Sequence, residues 1–416
     1  MPRTISEKIL STKSGAPARA GAIVVCNVDL VIGTDASAPM AIDYFEQMGG
    51  SRVFDPSKIF FALDHYAPPA NDATRALHDR VRVFAQKYGI AVDDVGEGIS
   101  HQIAVERGRV RPGDLVIGAD SHTVTCGALN LFATGVGSSD LAAAMITGQI
   151  WLRVPESIRV TLVGWRPRGL TAKDVALALV GEIGAEGASY QTLEFEGPAL
   201  PQFTLEERLV LTSLAVEMGA KAAIFPADEV TDAYLRGRAE KPGAPVEADA
   251  DAVYAREVTM TLGELSPRIA MPHAPDHVFT IEEALGVPIQ MVFIGTCTGG
   301  RVSDVHEVIN VLNRWGSRIA KGVQLVVTPA SAEVRSKLEA DGSLAKLAAM
   351  GAVVTTPGCG ACCGTSGVIP SDGMNVMSTA NRNFKARMGN ATASIYLASP
   401  AACAAAAATG RITDPR

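Results

Sequence analysis

The chain lacks any long hydrophobic run and has no large excess of positive charge. No stretch approaches the roughly 20 consecutive apolar residues that a membrane-spanning helix needs. The first eight residues are polar and mixed in charge, unlike a secretory signal peptide. The net charge of −7 gives no general attraction to nucleic acids or acidic membranes. We therefore expect a protein that binds neither a membrane nor nucleic acid.

Cysteine is scarce, and its use excludes one common architecture. The chain has seven cysteines in 416 residues, an odd number without regular spacing. This pattern does not suit a disulfide scaffold and indicates a reducing compartment, so we expect a cytoplasmic protein. Charged residues make up only 19% of the chain against 47% hydrophobic ones, an ordinary globular mixture that is large enough for several domains.

Two glycine-rich segments carry three of the cysteines. Cys359 and Cys362 have a C-x-x-C spacing within residues 357–364, and Cys297 lies within residues 294–301. Each segment follows an apolar stretch that reads as a strand, and glycine lets a backbone approach a bulky ligand closely. Three thiolates without an evident fourth ligand favour an iron–sulfur cluster with one open iron.

The residues alone leave three further roles open for these cysteines. Structural zinc normally has four Cys or His ligands, and no histidine lies near the C-x-x-C. A thioredoxin-like redox pair would open a helix without flanking glycines and would need no third cysteine. Buried free thiols are common but leave the glycine-rich context unexplained. Packing is the expected role of the remaining cysteines: Cys26, Cys126, Cys363 and Cys403.

The order of the predicted elements indicates an α/β protein. Strands and helices alternate over residues 1–157, the pattern loosens over 158–283, and the alternation returns over 284–416. We predict three domains with these boundaries. Residues 135–140 resemble a phosphate-binding loop only superficially, because the third glycine is missing, and we predict a helix there that is capped by Ser138 or Ser139.

Helix signals are clear at two other places. Leu77, Val81, Phe84 and Tyr88 recur at helical spacing, and Gly89 follows them as an expected C-terminal cap. The alanine-rich tail begins with Ser399 and Pro400 and ends at Gly410, which predicts one capped helix.

Acidic and imidazole side chains follow two predicted strands. Asp64 and His65 come after the strand at 59–63, and Asp120 and His122 come after the strand at 115–119. In open α/β sheets ligands bind beyond the carboxyl ends of the strands, so both pairs are placed for chemistry. Taken singly, each histidine is better explained as a satisfied buried side chain, but three histidines at carboxylate-rich strand ends favour a catalytic role.

Together these motifs resemble the aconitase superfamily, and most closely its large subunits of 3-isopropylmalate dehydratase and homoaconitase. The resemblance covers nearly the whole chain. The motifs that carry it, in order, are residues 26–31, Asp64-His65, 98–102, 118–123, 133–137, 295–298, 357–360, 378–384 with Arg387, and 396–400.

The resemblance implies three aconitase-type α/β domains around one central [4Fe-4S] cluster, held by Cys297, Cys359 and Cys362. It also implies a mobile fourth domain, which in two-subunit members is a separate chain carrying a serine base in a Gly-Ser-Ser-Arg stretch. No such stretch occurs here, and the sequence stops at Arg416. We therefore expect a large subunit whose partner is a small subunit with that swivelling domain.

The resemblance also assigns roles to individual residues. The implied catalytic residues are Asp64, His65, His101, Asp120, His122 and Glu194. Among them, Asp64 is expected to orient His65, and Glu194 is expected to pair with His101. The implied substrate-binding residues are Thr34, Ser121, Asn381, Arg382 and Arg387. Guanidinium groups suit the two-pronged binding of carboxylates.

We therefore expect a hydro-lyase for a hydroxy diacid, with the isomerisation of 2-isopropylmalate to 3-isopropylmalate in leucine biosynthesis as the leading activity. A homoaconitase or another alkylmalate or maleate hydro-lyase is the alternative within the class. A cluster-free RNA-binding relative is the alternative outside it, although no basic stripe supports it. Thr34 and Gly299 replace larger residues usual in these subunits, so we expect a pocket that is wider or holds an extra water, and we leave the substrate open.

Overall fold

The computed structural model describes residues 2–416 as an α/β protein with four sheets. Its α-helices are α1 (Ile5–Ser14), α2 (Ala38–Gln47), α3 (Asp72–Tyr88), α4 (Ser100–Glu106), α5 (Ser138–Thr147), α6 (Ala172–Ile183), α7 (Leu205–Leu214), α8 (Glu229–Leu235), α9 (Val302–Arg314), α10 (Ala332–Ala340), α11 (Ser343–Ala349) and α12 (Pro400–Thr409). Its strands are β1 (Ile23–Asn27), β2 (Leu30–Thr34), β3 (Ile59–Ala62), β4 (Ala91–Asp93), β5 (Leu115–Gly118), β6 (Phe132–Gly135), β7 (Gln149–Arg153), β8 (Ser157–Val163), β9 (Thr192–Glu196), β10 (Ala222–Ile224), β11 (Arg256–Thr261), β12 (Arg268–Ala270), β13 (Val278–Thr280), β14 (Met291–Ile294), β15 (Gln324–Val327), β16 (Val353–Val354), β17 (Asn375–Ser378) and β18 (Ser394–Ala398).

The first large sheet is wholly parallel, in the order β4-β3-β2-β5-β6. Strands β2, β3 and β5 are buried along their full length. Such continuous apolar strands are typical of parallel sheets that are covered on both faces. The carboxyl ends of β3 and β5 lie at one edge, and they deliver Asp64-His65 and Asp120-His122 to it.

The second and third sheets follow along the chain. The second is parallel, in the order β10-β9-β8-β11, and the third has seven strands in the order β13-β12-β18-β17-β14-β15-β16. In the third sheet β12 is antiparallel to both β13 and β18, and the remaining pairs are parallel. Strands β12 and β13 precede the domain boundary predicted at residue 283, although they pair within the third sheet. The division into three domains stays a prediction.

The fourth sheet is a small antiparallel ribbon. Residues 23–34 form two strands, but β1 does not pair with β2; it pairs with β7, which lies more than a hundred residues further along the chain. One face of the ribbon packs onto the core around the first sheet through Cys26, Ile150 and Leu152.

The predicted helix ends were mostly confirmed. Gly89 ends α3 with φ of 72°, and the side chain of Ser399 caps α12, which ends at Gly410 with φ of 75°. The cap predicted for α5 was wrong: the helix begins at Ser138, so that Gly137 is its N-cap residue. Within residues 2–416 no helix combines the length and the apolarity needed to cross a membrane.

Candidate active site

The three cysteines of the glycine-rich segments meet at the carboxyl end of the third sheet. Cys297 follows β14, and Cys359 and Cys362 follow β16, two strands away in the same parallel set. Gly360 has φ of 55°, and a Cβ there would lie 2.8 Å from the Thr328 hydroxyl oxygen. This turn therefore requires glycine, both for its backbone conformation and for its packing.

The structure brings all but two of the predicted site residues to one cavity of about 190 Å³. The predicted residues that line it are Thr34, His65, His101, Asp120, Ser121, His122, Cys297, Cys359, Cys362, Asn381, Arg382 and Arg387. The two exceptions are Asp64, which lies buried behind His65, and Glu194, which lies elsewhere.

His65 is held between two carboxylates. Its Nδ1 lies 2.7 Å from Asp64 Oδ1, and its Nε2 lies 3.4 Å from Asp120 Oδ2. Burial lowers the pKa of His65, but the contacts with Cys359 and Asp64 outweigh burial and raise it well above its ordinary value. The imidazole is therefore held in its protonated form, ready to donate a proton.

The turn that carries His65 depends on a carboxylate that the sequence did not single out. Asp35 accepts hydrogen bonds from the backbone N–H groups of His65 and Tyr66, at 2.9 and 2.8 Å. Asp35 also lies 2.9 Å from His78 Nε2 and 3.7 Å from His65 Nδ1. Asp35 thus fixes the backbone that aims the His65 ring.

A chain of alternating charges continues from Asp120. Backbone N–H of His122 donates to Asp120 at 2.7 Å, and His122 Nε2 lies 2.9 Å from Glu217 Oε1. Glu217 in turn accepts from Arg382 Nε at 3.0 Å, and Arg382 also donates to the Ser121 hydroxyl at 3.1 Å. These hydrogen bonds orient the Arg382 guanidinium towards the cavity.

The pKa values of Asp120, His122 and Glu217 follow from these contacts. Burial opposes each charge, but the contacts with Asp120 and Glu217 raise the pKa of His122 to about 10. The His122 contact likewise lowers the pKa of Glu217, and the surrounding imidazoles hold the pKa of Asp120 well below its usual range. These shifts favour the charged forms of Asp120, His122 and Glu217 near neutral pH.

The structure corrects the prediction for Glu194. This carboxylate does not reach His101. It accepts the backbone N–H groups of Ile5 and Ser6, both at 3.0 Å, and the hydroxyl of Ser157 at 2.9 Å. Glu194 therefore anchors the first turn of α1, where a negative charge is favourable.

Two groups in the cavity wall have unused hydrogen-bonding atoms. His101 is 2% exposed, and neither ring nitrogen has a hydrogen-bond partner within residues 2–416. The Arg387 Nε is buried and likewise unpartnered in the described chain. Because buried polar atoms are normally satisfied, these groups point to a ligand in the cavity.

The cysteine sulfurs suit a ligand with several metal atoms. Burial raises the pKa of Cys297, but the nearby imidazoles of His101 and His122 lower it to about 5, which is the thiolate form that binds metals. Burial raises the pKa of Cys359, so metal binding there releases a proton. A single metal ion needs donor atoms that lie close together. In the described chain Asp64, His65 and Cys359 meet this condition, but the three cysteines do not. The wider spread of the sulfurs fits a cluster rather than one zinc ion.

The Cys297 sulfur is fixed by a network that includes an unpredicted lysine. Asn381 Nδ2 donates to it at 3.1 Å. The Asn381 carbonyl accepts from the Thr298 hydroxyl. Lys173, on α6 and 1% exposed, donates to Thr298 Oγ1 at 3.1 Å and to the Ala380 carbonyl at 2.8 Å. Burial lowers the pKa of Lys173 to about 8.

The two unusual residues have different surroundings. Thr34 lines the cavity, and its hydroxyl lies 3.0 Å from that of Ser37. Gly299 is not part of the cavity wall, and the side chain of Thr379 occupies the space that a Cβ at Gly299 would need. The expectation that Gly299 widens the pocket was therefore wrong.

Fold and cavity together define an α/β protein with a three-cysteine site surrounded by carboxylate–imidazole pairs and two arginines. The aconitase family model (aconitate hydratase) matches residues 7–410, and the chain belongs to the aconitase family. This confirms the predicted family, and membership implies an iron–sulfur cluster.

Known relatives extend over the whole chain. It is 45% identical to the 3-isopropylmalate dehydratase large subunit 1 of Methanopyrus kandleri, over 100% of this chain and 99% of the relative. It is 45% identical, with the same coverage, to the 3-isopropylmalate dehydratase large subunit 2 of Archaeoglobus fulgidus. Among solved structures, the holo form of Thermococcus kodakaraensis aconitase X matches with a TM-score of 0.54 and 14% identity, covering 92% of this chain and 94% of that one. That similarity confirms the fold class.

Proposed function

We propose that this chain is the large subunit of an iron–sulfur hydro-lyase that interconverts 2-isopropylmalate and 3-isopropylmalate. The observation that carries the proposal is a single cavity that combines three cysteines, three histidines and two arginines. The names of the full-length relatives support the substrate and the role of large subunit.

We assign the [4Fe-4S] cluster, one per chain, to Cys297, Cys359 and Cys362. When bound, such a cluster supplies a Lewis acid for a hydroxyl and a carboxylate. The remaining tasks fall to protein groups. Arg382 and Arg387 bind the substrate carboxylates, and the unpartnered Nε of Arg387 gives it a free donor for this contact.

His65 is the proposed acid for the leaving hydroxyl. As the C–O bond breaks, the imidazolium transfers its proton to the departing oxygen, which leaves as water. Asp64 orients the ring, and the carboxylate of Asp120 keeps it charged until transfer. Elimination also requires a base for the carbon-bound proton, and we assign that base to the serine of a small subunit, as the family resemblance implies.

The test is a reconstituted assay. The chain is purified anaerobically with the isopropylmalate dehydratase small subunit encoded in the same genome, and formation of the unsaturated product is followed by ultraviolet absorbance. The substrates are 2-isopropylmalate, 3-isopropylmalate, homocitrate, citrate and citramalate. We expect the two isopropylmalates to give the highest kcat/KM. Preference for homocitrate or citramalate would move the chain to the alternative substrate, and no turnover at full iron content would contradict the hydro-lyase.

A further inference from the structure

The small ribbon of β1 and β7 presents an apolar face to solvent. Its outward side chains include Ile23, Val25 and Trp151, which are 71%, 54% and 61% exposed. Val25 and Trp151 lie directly opposite each other across the two strands. Cross-strand neighbours form one continuous surface, so the three side chains make a patch rather than scattered residues.

This exposure is not a sign of a poorly packed ribbon. Cys26, Ile150 and Leu152, on the opposite face, are buried in the core around the first sheet. The inner face of the ribbon is therefore well packed against the core, whereas its outer face is exposed to solvent in the single chain. Its surroundings are polar: the Arg153 guanidinium lies 4.5 Å from the ring centre of Tyr190, and Lys221 donates to the Gly135 carbonyl. An apolar centre with a polar rim is the usual composition of a protein interface.

The patch adjoins the candidate active site. A second cavity, of about 470 Å³, is lined by Trp151 and its neighbours Ile150 and Leu152. The same cavity is lined by Asp120 and Ser121, which also line the cysteine cavity. A protein seated on the ribbon would therefore stand next to two residues of the proposed substrate site.

We propose that the outer face of the β1–β7 ribbon is the docking surface for the small subunit. The proposal rests on the proposed function, because that function requires a second chain whose base reaches the substrate. Position favours the small subunit over a second copy of this chain: a small subunit seated here reaches the wall formed by Asp120 and Ser121, whereas the proposed reaction gives a second copy no task at that wall.

The chain offers a matched control for this surface. Trp165 is also highly exposed, at 82%, but it lies in the loop between β8 and α6 and lines neither of the two cavities. Exposed tryptophans at interface centres often dominate binding, with truncation costs that correspond to about 30-fold or more in affinity. Trp151→Asp and Trp165→Asp thus make the same chemical change in two different places.

The experiment measures the affinity of each large-subunit variant for the purified small subunit encoded in the same genome, by calorimetric titration under anaerobic conditions. We expect Trp151→Asp to weaken binding at least about 30-fold and Trp165→Asp to leave it unchanged. Iron content and thermal midpoint are measured on the same samples. If Trp151→Asp fails to fold, Ile23→Glu makes the same test at the edge of the patch.

Several outcomes would overturn the proposal. Binding by Trp151→Asp and Ile23→Glu as tight as that of the wild type would do so, and so would a wild-type chain that does not bind the small subunit. A homodimer that Trp151→Asp converts to a monomer, with the small-subunit affinity unchanged, would assign the ribbon to a second copy. A wild-type complex that forms but turns over no hydroxy diacid contradicts the proposed function and leaves the docking result standing.

Discussion

At the scale of single residues, two adjacent cysteines that both line the cavity test the assignment of the cluster ligands. Cys362 lies within 3.8 Å of the Arg387 guanidinium, whereas the Cys363 sulfur contacts the Thr365 hydroxyl at 2.8 Å. We predict that Cys362→Ser removes the visible absorbance and most of the iron from anaerobically purified protein. Cys363→Ser should keep both. Bleaching by Cys363→Ser with colour retained in Cys362→Ser would reverse the ligand assignment.

Arg387 tests the binding of substrate carboxylate. Lysine keeps the charge but loses the planar fork, so we predict that Arg387→Lys lowers kcat/KM by about 10²-fold in the two-subunit enzyme. The control is Arg335→Lys, an exposed residue on α10 paired with Glu339, which should leave the kinetics unchanged. Wild-type kcat/KM in Arg387→Lys would remove Arg387 from the site.

Glu217 tests the chain of charges that begins at Asp120. The variant Glu217→Gln keeps the shape but removes the charge that holds both His122 and Arg382. We predict a fall in kcat/KM of roughly 10²–10³-fold, within the range seen for loss of buried charged hydrogen bonds. The cluster absorbance should stay. If Glu217→Gln and the wild type have equal kcat/KM, the contacts of Glu217 with His122 and Arg382 are not needed for activity.

The residues that the sequence predicted and those that it missed differ in how they reach the cavity. Asp64, His65, Asp120 and His122 follow strands of one parallel sheet, and the carboxyl ends of such strands meet by geometry. Glu217 lies in a short 3₁₀ turn at Ala215–Met218 and meets His122 across 95 positions of sequence. No local pattern marks such a contact, and the family resemblance pointed to Glu194 instead.

At the scale of elements, sequence signals predicted helix ends correctly where the stabilising interaction lies within the same helix turn. Gly89 and Ser399 act within one turn of their helices, and their roles were predicted correctly. Pairing between distant strands was not predictable. β12 joins β18 and β1 joins β7 because of packing between distant segments, for which residue spacing gives no information.

The first helix supplies an element-scale prediction. Glu194 accepts two backbone N–H groups in the first turn of α1, which have no partner within the helix. We predict that Glu194→Ala lowers the free energy of unfolding by about 1–3 kcal/mol, because buried donors lose a charged acceptor. Chemical denaturation measures the change. Glu196→Ala, at an exposed position on the same strand, is the control, and iron content should be wild type in both. An unfolding free energy equal to wild type in Glu194→Ala would contradict this role.

At the scale of the whole molecule, two parts of the chain line the cavity and a third supports its wall. The first sheet brings His65 and Asp120, the segment around the second sheet brings Glu217 and Lys173, and the third sheet brings the cysteines. Lys173 is the clearest structural link: its buried ammonium group on α6 bonds directly to the backbone beside Asn381. In the second part, Glu217 therefore holds Arg382 and Lys173 holds the backbone beside Asn381, although neither lines the cavity.

The residues that line the cavity also lead to a prediction about the isolated chain. In the proposed function the cavity wall supplies the acid and the carboxylate-binding arginines, and a second subunit supplies the base. Elimination needs both proton transfers, and loss of one acid–base partner typically lowers the rate by roughly 10²–10⁴-fold. We therefore predict that the chain, purified anaerobically with its iron intact, turns over isopropylmalate at least about 10²-fold more slowly than after addition of the small subunit. Ultraviolet absorbance of the unsaturated product measures both rates, and a small subunit with its serine replaced by alanine serves as the control. Because that control still covers the cavity, it separates the loss of the base from the exclusion of water. Equal rates with and without the small subunit would place the base in this chain.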